Sequence, residues 1–160
     1  MRRREDRMGD VRREAPEDDA VLTRIGQAVM LHRGGDREEA RNRLAALWRE
    51  IEGDGDPFHR CALAHYLADT QDDPADELLW DLLALAAADG PGARTPTPRL
   101  RALYPALHLN LAADYAKLGR EAAARSQLEL ARASAGTLGD DPYGDRVRAA
   151  IARLAQRLAL

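Results

Sequence analysis

The side chains best suited to chemistry in this chain concentrate in one short run: His59, Cys61, His65 and Asp69. Cys61, His65 and Asp69 fall at i, i+4 and i+8, which is one stripe along a helix, and residues one turn apart can share a metal ion. Such a stripe supplies two ligands with ease, but the third lies about 12 Å along the axis from the first at ~1.5 Å rise per residue. His32 and His108 stand apart from the run, and no second His/Cys cluster offers the missing ligands. Activation of Cys61 as a nucleophile needs a helix N-terminus or a fixed base, and His65 is its sole candidate partner. The favoured reading is a small buried cysteine beside a helix-surface His–Asp pair, with a metal-binding or enzymatic use of Cys61, His65 and Asp69 as the outsider. Asp72, Asp73, Asp76 and Glu77 form an acidic run without the spacing of a calcium loop, and acids gather at helix N-termini anyway. They read as a solvated cap. Gly34-Gly35 follows a helical pattern rather than a strand, so it does not read as a phosphate loop. No catalytic residue, metal or cofactor is expected.

These residues must be held by a scaffold, and composition bounds it. The 160 residues suit one domain, 45% hydrophobic and 32% charged, with aromatics at 4% and Phe58 the single phenylalanine. The apolar inventory is mostly Ala and Leu, the residues that cost a helix least. Formal net charge is −3, which disfavours a basic nucleic-acid binder, and a single cysteine excludes an internal disulfide framework. Lys117 is the only lysine; the dominance of Arg and Ala reads as a GC-rich, bacterial-type bias. Residues 1–19 hold six Arg and seven Asp or Glu and read as a flexible charged tail, with no apolar run of a secretory signal. No stretch approaches a membrane span, so a cytoplasmic protein with neither nucleic-acid nor membrane partners is expected.

From residue 20 onward the period is helical. Val21, Leu22, Ile25, Ala28, Val29 and Leu31 mark a first helix that Gly34-Gly35 stops. Asp36 caps a second, about residues 37–52, burying Ala40, Leu44, Leu47, Trp48 and Ile51. A third starts near Phe58 and carries Leu63, Tyr66 and Leu67. Asp73-Pro74 opens a fourth that presents Leu78, Leu79, Trp80, Leu82, Leu83 and Leu85. Residues 89–98, with three prolines, form a loop. A fifth helix spans about 99–118, kinked or begun at Pro105, a sixth about 121–135, and a last about 145–158.

The helix pairs repeat. Leu31, Gly35, Ala40, Leu44 and Leu47 are separated by 4, 5, 4 and 3 residues; Tyr66, Thr70, Ala75, Leu79 and Leu82 keep those intervals, and so do Tyr115, Gly119, Ala124, Leu128 and Ala131. The small Ala of each set suits a close helix contact, so Ala75 is expected to be intolerant of charge. This pattern resembles the tetratricopeptide repeat (TPR), with Asn110-Leu111-Ala112 through Ala124 its best copy. It departs in placing Arg24, His59 and His108 where the family sets a large residue, in lacking the closing proline, and in a 49-residue step between second and third units against 35 for the first.

The resemblance implies an all-α fold: a right-handed α-solenoid of about three TPR-like helix-turn-helix repeats over residues 20–160, closed by a C-terminal capping helix. It implies a non-catalytic protein–protein interaction module, whose concave groove takes an apolar helical or extended segment of a protein partner. Carried onto this chain, the groove positions are Leu22, Ile25, Val29 and His32; Arg60, Ala64 and Leu67; and Leu109, Asn110, Ala113 and Lys117. Arg60, Asn110 and Lys117 are too few for a full clamp on a C-terminal carboxylate. An apolar face of this size needs a cover. The alternative to a partner segment is a homodimeric scaffold that closes the face on a second copy.

Overall fold

The computed structural model describes residues 20–51, 55–90 and 96–160, and among them every regular element is helical. The charged tail expected over residues 1–19, and the middle of the 89–98 loop, lie outside the described residues.

Helix α1 covers residues 20–33, followed by α2 (Arg37–Ile51), α3 (Pro57–Asp69) and α4 (Pro74–Asp89). A single turn, α5 (Pro98–Arg101), precedes α6 (Tyr104–Lys117), then α7 (Glu121–Ser134), a short 3-10 turn (Ala135–Thr137) and α8 (Pro142–Arg157). Pro105 sits in the first turn of α6, where its missing N–H costs nothing, so the break lies before it and not within the helix. The caps follow the sequence. Asp73 accepts from the Ala75 N–H at 2.9 Å ahead of Pro74, and Asp56 and Asp141 do the same for α3 and α8.

Three hairpins result: α1/α2, α3/α4 and α6/α7. Ile25 and Ala28 of α1 pack with Leu44 and Leu47 of α2 and with Leu63 and Leu67 of α3. A bidentate Arg24–Glu50 pair, at 2.6 and 2.9 Å, ties α1 to the end of α2. Helix α4 packs on α3 and also on α6, and α6 packs on α7 and α8. Trp48 and Trp80 meet edge to face at 5.4 Å between α2 and α4. The last hairpin and α8 share a core of Ala112, Leu128, Ala131, Val147, Ile151 and Leu154.

The middle hairpin differs from its neighbours at the turn. Gly35 and Gly119 adopt positive φ (96° and 74°), letting the Asp36 and Arg120 N–H groups bond back to Leu31 and Tyr115. Thr70 is right-handed instead; its hydroxyl donates to the Leu67 carbonyl at 2.7 Å, and four residues rather than three separate the helices. Helix α3 also runs one residue further beyond Tyr66 than α1 and α6 run beyond Leu31 and Tyr115. Together these displace α4 by two residues against the sequence repeat.

The displacement corrects three expectations. Ala75 is exposed rather than wedged in a helix contact. Leu79 and Leu82 also face outward, and Leu83 joins them; the buried positions of α4 are Leu78, Asp81, Ala84, Ala87 and Ala88. Counted from the first helical residue, the fourth, eighth and eleventh positions are Ala40, Leu44 and Leu47 in α2 and Ala124, Leu128 and Ala131 in α7, all buried. In α4 the same positions hold Glu77, Asp81 and Ala84.

Candidate functional site

Two features stand out on this scaffold. The first is an apolar cavity of about 260 Å³ between α1, α3, the start of α6 and α8, lined by Leu22, Ile25, Phe58, Ala62, Tyr66, Leu107 and Tyr143 among others. These are the first helices of the hairpins together with α8, so the cavity lies on the side from which the sequence places a groove. Two of the expected groove residues, Leu22 and Ile25, line it. Ala64 and Leu67 lie within the packing, at most 1% exposed. Val29 packs half-buried beside α2, and Leu109 and Ala113 join the core shared by α7 and α8. Arg60 turns toward α2, its guanidinium 5.8 Å from the Trp48 ring.

Of the remaining polar groove positions, His32 and Lys117 stand at the C-terminal ends of α1 and α6, while Asn110 lies mid-way along α6. The Asn110 amide nitrogen lies 2.9 Å from His65 Nδ1 across the α3–α6 contact. With the amide donating, the imidazole proton sits on Nε2. Burial pushes the His65 pKa down, against the opposing pull of Asp69. Asp69 in turn feels the charges of His65, Glu77, His32 and Lys117.

The second feature is a carboxylate cluster at the α4–α6 contact. Glu77, Asp81 and Asp114 each bring an oxygen within 4.8 Å of the others. Asp81 and Asp114 are 3% and 1% exposed, yet no N–H or O–H from outside the cluster reaches Asp81 Oδ1 or Asp114 Oδ2. Glu77 is nearer the surface and accepts from Lys117 Nζ at 3.0 and 3.2 Å. Burial, the shared hydrogen bond and the charge of Asp114 push the Asp81 pKa up to about 10, so with nothing else bound Asp81 keeps its proton and donates it to Asp114. Asp114 is raised to about 6, first by burial.

Only part of the acidic run is a solvated cap. Asp73 caps α4, and exposed Asp72 pairs with Arg37 and Arg41 of α2, which hold its carboxyl below the usual range. Glu77 instead turns inward. Asp81 and Asp114 are not among the residues that spacing in the sequence singles out. The available signal was an acid in the middle of the apolar run Leu78 to Ala88, a position no cap explains.

The Cys61, His65 and Asp69 stripe does not act as one unit. Cys61 is fully buried, and burial pushes its thiol up to about 12. His65 lines the cavity wall, while Asp69 is exposed at the end of α3.

No protein-family model, curated protein or solved structure matches the chain. Among the described residues no helix is long and apolar enough to cross a membrane.

Proposed function

We propose that the chain is a non-catalytic, TPR-like interaction module that anchors an apolar side chain of a helical or extended protein segment in the α1–α3–α6–α8 cavity. The observation that carries this reading is the cavity itself. Its walls are apolar, with His65, Tyr66 and Tyr143 as the polar exceptions. Pockets for whole small molecules usually run to about 300–1,000 Å³. A volume of about 260 Å³ suits a single large side chain presented by a longer segment. The resemblance of the helical pairs to the TPR and the assembly of the wall from successive first helices support the same use.

The test is selection of displayed 15-residue peptides against the purified protein. Selected peptides should share one large apolar residue and bind Ala106→Trp, which fills the cavity, at least tenfold more weakly than wild type. A library that yields no binder, or binders indifferent to Ala106→Trp in a variant of unchanged melting temperature, defeats the reading.

A second reading, self-association, draws on a different surface. Leu79, Leu82 and Leu83 are 55%, 40% and 38% exposed and share one face of α4. A second copy laid along that face would bury all three from each chain. Sedimentation of wild type and of Leu79→Glu/Leu83→Glu separates the two: a dimer that the double variant dissolves supports self-association, and a wild-type monomer at micromolar concentration removes it.

A further inference from the structure

Helix α4 carries acids at two of the positions where α2 and α7 carry Ala and Leu, and packs them against a third acid on α6. We propose that Glu77, Asp81 and Asp114 bind one hard divalent cation of the Mg²⁺, Mn²⁺ or Ca²⁺ class at the α4–α6 contact.

The donor set is all carboxylate oxygen, which selects hard cations over zinc or copper. Oxygen ligands sit about 2.0–2.6 Å from such ions, so oxygens on one ion lie at most about 4–5 Å apart. The three carboxylates meet that limit, with oxygens within 4.8 Å of one another. Two helices supply them: Glu77 and Asp81 are one turn apart on α4, and Asp114 faces them from α6.

Buried acid alone would not indicate a ligand. Here the two deepest members, at least 97% buried, each have an oxygen that no N–H or O–H from outside the cluster reaches. Buried polar atoms are satisfied as a rule, and acceptors that only the cluster's own proton can reach mark a place where a cation can stand in for that proton. Lys117 is the cation present, and it reaches Glu77 rather than Asp81 or Asp114. On binding, Asp81 releases its proton to solvent; of the three carboxylate charges Lys117 then answers one and the divalent ion the other two. Glu77 and Lys117 stand at the solvent side, with side chains 21% and 52% exposed, so the ion enters as the ammonium swings off Glu77.

The experiment strips the full chain with EDTA, removes the chelator and titrates Mn²⁺, reading free ion by electron paramagnetic resonance. One Mn²⁺ per chain is expected, displaced by Ca²⁺ or Mg²⁺, with a melting temperature higher by about 5 °C or more once the ion exceeds its Kd a hundredfold. Asp81→Asn/Asp114→Asn should weaken binding at least tenfold. Lys117→Met, a change at an exposed side chain, should tighten binding at least threefold by removing the competing charge; this arm decides the matter if the double variant does not fold. Absence of saturable binding in both wild type and Lys117→Met overturns the proposal and leaves the Asp81–Asp114 proton as the occupant. Undiminished binding by a folded double variant, or no tightening in Lys117→Met, places the ion elsewhere and overturns it equally.

Discussion

Asp81 of α4 occupies the helical position that Leu44 occupies in α2, the eighth from the start, and both side chains are buried. A leucine there contributes apolar burial; the aspartate brings a carboxyl that must find a proton or a cation. In the ion-free protein it keeps its proton and donates to Asp114. Asp81→Asn retains a donor of the same size and should shift stability by less than about 1 kcal/mol. Asp81→Ala removes the donor, strands the Asp114 carboxylate and should cost about 2–3 kcal/mol. Urea unfolding of both variants in EDTA makes the comparison, and equal losses would mean that no proton joins the pair.

The displaced register of α4 separates two alanines that the repeat makes equivalent. Ala40 is fully buried against neighbouring helices, while Ala75 is exposed in the first turn after the Asp73 cap. Ala40→Asp should cost more than about 3 kcal/mol, because an unpaired carboxylate enters the packing. Ala75→Asp should lie within about 0.5 kcal/mol of wild type, since an acid near a helix N-terminus is mildly favourable. Thermal unfolding of the two proteins in parallel reads the difference; a large loss in Ala75→Asp would restore the register of the sequence repeat.

These two relationships show why the fold was more legible than the site. Helix starts and stops carry local signals, Asp36 and Asp73-Pro74 for the starts and the glycines at positions 35 and 119 for the stops, and each acts within a turn of itself. The repeat is legible for the same reason in the first and third hairpins, where Leu31 and Tyr115 sit two residues before the helix end. In the middle hairpin a threonine replaces glycine at the turn, and the chain gains two residues between Tyr66 and the buried face of α4. Leu79 and Leu82 match the spacing, so apolar identity favoured the wrong register over Glu77, Asp81 and Ala84. Asp114 carries no sequence signal as a site residue, because its meaning comes from Asp81, a helix and a loop away. The cavity was legible as to side but not as to residues. Leu22 and Ile25 could be placed on a common face, whereas Tyr143 reaches the wall only through the packing of α8.

Cys61 supplies a prediction about reactivity. Burial raises its thiol to about 12, so the thiolate is scarce in the folded protein at pH 8, where an ordinary cysteine of pKa about 8.5 is partly ionised. Modification by a disulfide reagent at pH 8 should run at least about a hundredfold slower in the native protein than in urea, and track global opening. Native labelling at the rate of the unfolded chain would show that the thiol is accessible and return Cys61 to consideration as a chemical group.

His65 ties the pH response to the α3–α6 contact. Burial holds its pKa in the folded chain below the value of about 6.5 that it takes when unfolded. At this site the unfolded state therefore binds more protons as the solution is acidified through pH 6.5, so His65 lowers stability in that direction, against the raised Asp81 and Asp114, which add to it. The contribution is fully present above the unfolded pKa. It is lost progressively below it, until the folded imidazole also protonates and gives up the Nδ1 lone pair that accepts from Asn110. Asp69 pulls the other way, so Asp69→Asn should deepen the acid loss. His65→Gln keeps a hydrogen-bonding partner for Asn110 without a titrating group, and should raise stability at pH 5 relative to pH 7 when compared with the same difference in wild type. The measurement is urea-unfolding free energy at half-unit pH intervals. A His65→Gln protein whose stability changes between pH 7 and 5 by the same amount as wild type would show that the imidazole is not held neutral by the α3–α6 packing.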